Sequence, residues 1–448
     1  MMEAAIEKLK RVQKSNKEEE MQTVVQVHPS SIPSVHTRMC FVELYQQTSA
    51  SKSGRDKFVQ FAGLIELLAK RKFAMLVGQP GSGKSTCYRR LMRLKDDKPG
   101  ICLGLNLRDI DEDQRRTLRQ LLLDENYPDV DDETLRLSFR WIKENQDKCI
   151  IVMDGLDQFP WSLKGAITQQ ATYETTLTPL QLIANLFGRK FLKNVGLLVT
   201  SRRHAVIDIP KPLRPSRAVE LQALSADDME KLFLAFCGSQ TKFERFKETL
   251  NANAPLVWGL CRNPLMLQFA VCALSETEAE LAGSPLFHTT TTMFETVLNR
   301  LRYTLHWRES GLGVEQLLKC LGALALDAVA GQLAGIKGSS LLDAGLTAEQ
   351  VQNLLFPIVT VTFSNDKLSD ARDTTFHFTH ETWKEYFAAH FLTHNASREV
   401  FQSKVTAAVS DPRWQMVRKF LCGHLLNVPY SQVRGKSWYR LRVTCRCT

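Results

Sequence analysis

A glycine-rich segment between an apolar run and a helix-like stretch constrains this chain more than any other feature. The segment reads GQPGSGKST at positions 78–86, directly after the apolar run 73–77. Its glycines permit backbone angles at which several N–H groups point at one anion, and the start of the following helix adds positive potential. The alternative is a glycine turn that only joins a strand to a helix, and such a turn would not require the Lys and Ser of this pattern. The pattern predicts a phosphate-binding loop made of Gly78, Gln79, Pro80, Gly81, Ser82, Gly83, Lys84, Ser85 and Thr86.

Two side chains of this loop have chemistry of their own. Lys84 supplies a full positive charge that can reach the β- and γ-phosphates of a nucleotide and assist catalysis there. The Ser85 hydroxyl can ligate Mg²⁺. Nucleotide binding is therefore the firmest functional expectation from the sequence.

A second apolar run ends in a carboxylate, which a metal site beside such a loop requires. Residues 149–154 read CIIVMD, and Asp154 would lie at the carboxyl end of a parallel strand, where ligands bind in such sheets. It would hold Mg²⁺ directly or through water, unless it is simply an Asp that ends a strand. Asp157 is either a catalytic group that orients the attacking water or a cap on the next turn.

A third apolar run, 195–200, leads into Ser201-Arg202-Arg203. An arginine at this end of the same sheet suits the charge and geometry of a γ-phosphate. The alternative is an exposed basic loop. Arg202 is favoured over Arg203 as the phosphate sensor.

The order of these runs predicts the fold class. Apolar runs without polar alternation are typical of strands buried on both faces, and helical patterns lie between them. Alternating strands and helices favour an α/β fold, a doubly wound parallel sheet of the P-loop NTPase type. The strand-like runs are 73–77, 101–107, 149–153 and 195–200, and helical patterns cover 113–123 and 177–187.

After about residue 216 the strand-like runs stop and helical spacing dominates. The segments 357–363 and 374–379 then predict a hairpin, which together with the flanking helices suggests a winged-helix unit. The expected domains are a polar N-terminal extension at 1–39, a nucleotide-binding domain at 40–215, a helical domain at 216–304, a winged-helix domain at 305–395, and a partial second helical domain with a basic tail at 396–448.

Composition excludes several other classes of protein. The net charge of +10 is modest for 448 residues and is spread along the chain, so a solvated basic surface is favoured over a nucleic-acid groove. The sequence contains no run of 18 apolar residues, so no membrane span is predicted. The first twenty residues are charged throughout and show no secretory signal. Eleven cysteines without metal-ligand spacing predict reduced thiols in a cytoplasmic protein.

In this order the motifs resemble the NACHT-domain proteins of the NOD-like receptor class, which are signal-transduction P-loop ATPases. The family has a small residue after the metal-binding Asp and a second acid three positions on, matched by Gly155 and Asp157. Its sensor strand is similar to LLVTSR at 197–202, and Arg108 matches a basic residue of its second strand. The resemblance covers roughly residues 40–430.

Two further matches lie in the helical region. CRNPLML at 261–267 is similar to the family segment whose proline contacts adenine, which implies that role for Pro264. FTH at 378–380 resembles the motif whose histidine reaches the β-phosphate of ADP, which implies that role for His380. Without the resemblance, Asn-Pro is a common helix start and a lone histidine is usually a surface or core residue.

The resemblance implies a cytoplasmic molecular switch that binds ATP or ADP with Mg²⁺ and hydrolyses ATP slowly. It also implies self-association through the NACHT domain, signalling adaptor proteins as partners, and a role in innate immune or cell-death signalling. Gln158 stands where the family commonly has Glu, which shifts any catalytic role to Asp157. This departure keeps open a scaffold or decoy that holds nucleotide without hydrolysing it.

A P-loop kinase or a nucleic-acid-dependent ATPase is a third possibility, although no acceptor pocket or lid is recognisable in the sequence. The chain shows neither a full N-terminal effector domain nor a leucine-rich repeat period. Its basic ending after Arg434 suggests an incomplete product.

Overall fold

The chain folds into two compact units, Met1–Asp228 and Met229–Thr448. The structure is a computed structural model, and it describes residues 1–24, 39–41, 58–92, 100–110, 114–159, 162–168, 170–207, 209–253, 255–274, 289–304, 314–331, 333, 335–345, 359–362, 375–378 and 380–427.

A seven-stranded sheet forms the centre of the first unit. Its order is β2-β1-β7-β3-β6-β5-β4. The five strands from β7 to β4 are parallel, and β1 and β2 extend the sheet antiparallel at one edge. The predicted α/β P-loop NTPase class is therefore confirmed. The strands are β1 (Met39–Phe41), β2 (Phe58–Val59), β3 (Phe73–Val77), β4 (Ile101–Asn106), β5 (Cys149–Asp154), β6 (Gly196–Ser201) and β7 (Arg217–Leu221).

The strand that carries the glycine-rich loop lies inside the sheet, between β6 and β7. From β3 the chain runs to the far edge at β4, returns through β5 and β6, and then crosses β3 to form β7. The strand order reverses at this point. In open α/β sheets the crevice outside the carboxyl ends of the strands at such a reversal is where ligands bind.

Four of the parallel strands match the predicted runs to within a residue or so at each end. The fifth, β7, contradicts the expectation that strands stop before residue 216. Its sequence, RAVEL, contains Arg217 and Glu220 and gives no continuous apolar run. It is a strand because its backbone pairs in register with β3, from Ala74 opposite Arg217 to Val77 opposite Glu220.

Helices cover both faces of the sheet because successive residues of a strand point to opposite sides. Ala74 and Leu76 of β3 pack with α2 and α3, whereas Met75 and Val77 pack with α1, α4 and α5. The helices of this unit are α1 (Met2–Val24), α2 (Phe61–Ala69), α3 (Lys84–Met92), α4 (Asp132–Glu144), α5 (Pro179–Phe187) and α6 (Arg203–Ile207).

The N-terminal segment, predicted as a polar extension, contributes to this core. Ile6 and Leu9 on α1 are 3% and 0% exposed and belong to the same cluster as the helix α4. Lys8 Nζ lies 2.5 Å from Asp131 Oδ2 at the start of α4, and Gln13 Nε2 donates to the Cys102 carbonyl at 2.7 Å. A few buried apolar side chains in an otherwise charged sequence therefore dock the helix on this core.

The helix predicted at 113–123 is wrong at residues 114–117. Helical backbone begins at Leu118 and includes a π-helical turn, Gln120–Asp124. Arg116 instead forms an isolated antiparallel bridge with Leu177, and its buried guanidinium pairs with Glu125. A buried ion pair and a backbone partner distant in sequence hold this segment in a non-helical conformation. Neither contact can be predicted from the local spacing of apolar residues.

The described part of the second unit is largely helical, as predicted. Helical spacing at 224–236, 243–251, 265–274, 292–303 and 314–328 corresponds to helices that differ by a few residues at their ends. The helices are α7 (Ala226–Cys237, which begins in the first unit), α8 (Gln240–Asn253), α9 (Pro255–Leu260), α10 (Pro264–Leu274), α11 (Thr290–Thr304), α12 (Val314–Gly331), α13 (Gly338–Asp343), α14 (Glu381–His394), α15 (Arg398–Ser410) and α16 (Gln415–Asn427).

The predicted hairpin is present as two antiparallel strands of the second unit. These are β9 (Val359–Thr362) and β10 (Thr375–Phe378), with Phe376 opposite Val361. The polar loop between them lies outside the described residues. A third strand, β8 (Ile336–Lys337), pairs with the other edge of β10 and was not predicted. The assignment of this region as a winged-helix domain stays a prediction.

An aromatic cluster holds the helices of the second unit together. The Phe294 ring of α11 lies 4.8–5.4 Å from the rings of Phe269, Trp383, Tyr386 and Phe420 on three other helices. Aromatic pairs at these separations add to the stabilisation from burial alone. None of the helices in the described ranges combines the length and hydropathy needed to cross a bilayer.

The cysteines only partly match the expectation of reduced thiols. Burial raises the pKa of Cys87, Cys149 and Cys261 to about 12, so these thiols stay protonated and unreactive at neutral pH. Cys422 is disulfide-bonded, and the expectation is wrong there. Free thiols are found at Cys87, Cys102, Cys149, Cys237, Cys261 and Cys320.

Three histidines gather where α14 meets α16. The His390 and His394 rings stack with centroids 4.3 Å apart, and the His424 ring lies 5.5 and 5.3 Å from them. His424 is 2% exposed, and its Nδ1 lies 3.0 Å from Glu295 Oε1. The group does not have the arrangement of a metal site, and neither does any other in the described part of the chain.

Acidification should loosen this junction. Burial lowers the pKa of His424, although Glu295 partly opposes the effect. A histidine whose folded-state pKa is lowered contributes stability that is present above its unfolded pKa near 6.5 and is lost as pH falls from there through the lower folded-state pKa. We expect amide exchange in α14 and α16 to accelerate, after correction for the intrinsic rate, between pH 7.5 and pH 5.5.

His424→Gln keeps a donor for Glu295 but does not titrate, so it should remove most of this pH dependence. An equally steep acceleration in His424→Gln would show that other groups are responsible.

Candidate functional site

The glycine-rich loop folds tightly around its own backbone. Gly81 and Gly83 adopt φ angles of 73° and 98°, which only glycine adopts without strain. A side chain at Gly78 would come within 2.5 Å of Ser82 Oγ. The spacing of glycines in the sequence therefore has a steric cause at each of these three positions.

Lys84 begins α3 and folds back over the loop. Its Nζ donates to the carbonyls of Gly78 and Gln79, each at 3.0 Å. The next two residues, Ser85 and Thr86, are exposed in the first helical turn, where backbone N–H groups lack intrahelical partners. This end of α3 thus presents a cation, hydroxyl groups and backbone donors together.

These residues suit a phosphate group. Ser82 Oγ is buried and has no hydrogen-bond partner among the described residues, and a Cβ added at Gly83 would meet no atom within 4 Å. A buried orphan hydroxyl beside an open backbone is what a loop shaped around an anion shows. The donor set fits a nucleotide phosphate.

Asp154 ends β5 and is held by a hydrogen bond from Thr200. The Thr200 hydroxyl donates to Asp154 Oδ1 and accepts from the Gly155 N–H at 2.9 Å. Residue 155 has a φ of 82°, so the turn that follows β5 favours a glycine at this position. Thr200 is fully buried, and its single hydroxyl fixes both the carboxylate and the turn.

Asp154 lies close enough to α3 to act on its electrostatics. The pKa of Cys87 on α3 is raised mainly by burial, Arg90 lowers it, and the negative charge of Asp154 raises it further. A carboxylate beside the helix that carries the Ser85 hydroxyl fits an Mg²⁺ ion bound to both groups. The metal roles of Ser85 and Asp154 remain predictions.

Asp157 and Arg202 pair with each other. Asp157 Oδ1 accepts from the Arg202 backbone N–H at 3.1 Å, and Oδ2 accepts from the guanidinium Nε at 3.0 Å. Their side chains are 5% and 12% exposed. The sequence assigned them separate roles as catalytic acid and phosphate sensor, whereas here each occupies part of the other's hydrogen-bonding capacity.

Arg203 points to a different partner. Its guanidinium forms two hydrogen bonds to the Glu220 carboxylate on β7, at 3.0 and 2.7 Å, and this bond raises its pKa. Its side chain is 55% exposed. Arg202 is therefore the one of the two arginines that lies beside Asp157.

Pro264 and His380 belong to the second unit. Pro264 begins α10, and the Asn263 side chain accepts from the Leu265 N–H at 3.1 Å, so Asn-Pro forms an ordinary helix start here. His380 immediately precedes α14 in extended conformation and is half-buried. Their contacts with adenine and the β-phosphate remain predictions.

Sequence reasoning missed the role of Thr200. It was recognised only as part of the motif LLVTSR, without an assigned function. A polar residue within an apolar strand, one position before its end, is a signal that could have identified it. Burying a hydroxyl costs free energy unless it is hydrogen-bonded. A threonine in a buried strand therefore predicts a hydrogen-bond partner on a neighbouring strand.

Comparison with known proteins identifies the same region. A sequence model of the NACHT domain matches residues 72–240. The chain is 25% identical over 146 residues to "NACHT, LRR and PYD domains-containing protein 6" of Mus musculus, a match that covers 33% of this chain and 16% of the mouse protein.

A solved structure is also similar. It is a Signal Transduction ATPase with Numerous Domains protein with a tetratricopeptide repeat sensor from Pyrococcus horikoshii, 13% identical, with a TM-score of 0.35. The match covers 89% of this chain and 51% of that one. The chain therefore spans about half of that protein, and its match to the mouse protein covers a far smaller share.

Removing the Thr200 hydroxyl should weaken Mg²⁺-dependent nucleotide binding. Thr200→Val keeps the shape of the side chain but frees Asp154 and leaves the Gly155 N–H unsatisfied, a loss of about 1–3 kcal/mol. We expect the affinity for a fluorescent ADP analogue to fall about tenfold with Mg²⁺ present and to change little in EDTA.

Thr200→Ser retains the hydroxyl and should restore the Mg²⁺ effect. An equal loss of affinity with and without Mg²⁺ in Thr200→Val would indicate a packing role alone.

Proposed function

The chain is a NACHT-domain protein with a P-loop NTPase fold, and from that premise we propose that it is a nucleotide-dependent molecular switch. It binds ATP or ADP with Mg²⁺ and hydrolyses ATP slowly. The observation that carries the proposal is the meeting of three elements at the carboxyl ends of the neighbouring strands β3, β6 and β5: the glycine-rich loop, Asp154 and the Arg202–Asp157 pair.

In this proposal the loop binds the phosphates. Backbone N–H groups at the start of α3 and the Lys84 ammonium neutralise the β- and γ-phosphates. Ser85 and Asp154 hold Mg²⁺, which when bound offsets the negative charge on the phosphate oxygens. Thr200 keeps the Asp154 carboxylate turned toward that position.

Slow turnover is supported by the state of Asp157 and Arg202. For Arg202 to contact a γ-phosphate it has to share or leave a buried pair, and breaking such a pair costs about 3–5 kcal/mol. Gln158, the next residue, is neutral and cannot act as a base. Part of the free energy of γ-phosphate binding would therefore be offset by the cost of rearranging the Arg202–Asp157 pair.

The second unit supplies the switch. Contact of Pro264 with adenine and of His380 with the β-phosphate would favour a closed ADP form. A few kcal/mol of differential binding is enough to invert a two-state equilibrium. The open form self-associates through the NACHT domain and engages adaptor proteins, in cytoplasmic innate immune or cell-death signalling.

A second candidate is a scaffold that holds nucleotide without hydrolysing it. The buried Arg202–Asp157 pair and the neutral Gln158 favour it. In this case nucleotide would stabilise the fold by mass action, because it binds only the folded state.

Lys84→Ala should lower the affinity for ADP about tenfold or more, because a charge-assisted contact to phosphate is lost. Lys164→Ala removes an exposed lysine of the same domain and should leave the affinity unchanged. Isothermal titration calorimetry measures both.

Single-turnover phosphate release then separates the two candidates. The switch predicts faster release from the parent chain than from Lys84→Ala. If both release phosphate equally slowly while the parent binds ATP, the scaffold is correct and the switch by hydrolysis is not.

The closed state predicts that ADP copurifies with the chain. His380→Ala should release it, whereas His394→Ala, an exposed histidine at the other end of α14, should not. Mass spectrometry of the denatured protein gives the ADP content. Retention of ADP at the parent level in His380→Ala would remove His380 from the nucleotide site.

A further inference from the structure

A basic cavity lies at the amino ends of β3 and β7, whereas the phosphate loop follows the carboxyl end of β3. Phe73, the first residue of β3, and Ser216, immediately before β7, contribute to its wall. The cavity has a volume of about 310 Å³. Among the described residues no carboxylate lines it, and five cationic side chains do: Arg71, Lys72, Arg189, Lys193 and Arg214.

Three of these five cations are not neutralised by any carboxylate of the described residues. Arg71 Nη2 lies 3.6 Å from Asp147 Oδ2, but the two side chains are 50% and 48% exposed, and such surface pairs contribute little. Within the described ranges, Lys72, Arg189 and Lys193 form no ion pair with a carboxylate. Like charges gathered in one concave surface repel each other unless an anion binds between them.

Arg189 is built into the wall of the cavity. Its guanidinium lies 5.8 Å from the centre of the Phe73 ring, and Nη1 donates to the Val195 carbonyl at 2.9 Å. Its Nη2 is buried and has no hydrogen-bond partner in the described structure. An unsatisfied buried donor is costly, and an anion in the cavity would satisfy it.

Two helix ends border the cavity and fix its backbone. Arg71 and Arg189 have φ angles of 59° and 57° because each is the left-handed residue at which a helix, α2 or α5, ends. The N–H of the following residue donates back into the helix, from Lys72 to the Leu67 carbonyl at 3.3 Å and from Lys190 to the Asn185 carbonyl at 2.8 Å. These helix ends place the two arginines at the cavity.

We propose that this cavity binds a small organic anion that carries two or more phosphate groups. Arginine and lysine are the side chains that bind phosphate, and the Phe73 and Phe187 rings, 4.8 Å apart, provide an apolar wall for the carbon skeleton. The volume lies at the lower end of small-molecule sites, about 300–1,000 Å³.

The site is separate from the phosphate loop. Five residues of β3 join Phe73 at the cavity to Gly78 in the loop, a length of about 17 Å at 3.3 Å per residue. Both sites can therefore be occupied at once. Binding at the cavity does not depend on the nucleotide proposal, and the two can fail independently.

The test uses the full chain saturated with ADP and Mg²⁺, titrated calorimetrically with inositol 1,4,5-trisphosphate as the probe and neutral inositol as the blank. We expect one site per chain. The double variant Lys72→Gln/Lys193→Gln should weaken binding about tenfold or more, as should Arg189→Gln. The double variant changes two exposed side chains, so it keeps the test valid if Arg189→Gln fails to fold.

Two controls make the result decisive. Lys190→Gln removes an exposed charge next to Arg189 that does not line the cavity, and it should leave the affinity unchanged. Lys84→Ala should also leave the affinity unchanged. The proposal is overturned if the parent does not bind the trisphosphate at millimolar concentration, if Lys190→Gln weakens binding as much as the double variant does, or if Lys84→Ala abolishes binding.

Discussion

The end of β6 holds the candidate nucleotide site together. Thr200 donates to Asp154, the Ser201 carbonyl accepts from the Gly78 N–H at 3.3 Å, and Arg202 pairs with Asp157. Because β6 lies between β3 and β5, these three consecutive residues are placed to reach the phosphate loop on one side and the acidic strand on the other. The strands that carry the loop and Asp154, β3 and β5, do not pair with each other, so the relative position of these two groups depends on β6.

This arrangement explains why polar residues interrupt an otherwise apolar strand. Thr200 and Ser201 are fully buried, and each hydroxyl has a hydrogen-bond partner. In a low-dielectric interior a satisfied polar network is rigid, whereas an unsatisfied one is costly. The Arg202–Asp157 pair belongs to the same network, so a γ-phosphate that attracts Arg202 would also disturb the segment that holds Asp154. In the proposed switch, nucleotide binding and rearrangement of this segment would therefore be coupled.

The two ends of β3 serve different anions in our proposals. At its carboxyl end, glycine backbone and the start of α3 provide donors without many charged side chains. At its amino end, cationic side chains provide the charge. The first kind of site is preorganised by main-chain geometry and suits a phosphate held closely, whereas the second depends on long side chains and suits a ligand with several phosphate groups.

Local sequence determined the phosphate loop, the strands β3 to β6 and most helices, because each depends on spacing within about ten residues. It also identified Lys84, Ser85 and Asp154 as candidates, since their roles follow from neighbours along the chain. Tertiary structure alone decided that RAVEL pairs with β3, that α1 docks on the sheet, that Arg202 lies on Asp157 and that Thr200 holds Asp154. Each of these contacts joins residues far apart in sequence, and their partners follow from the strand order, which local patterns do not encode.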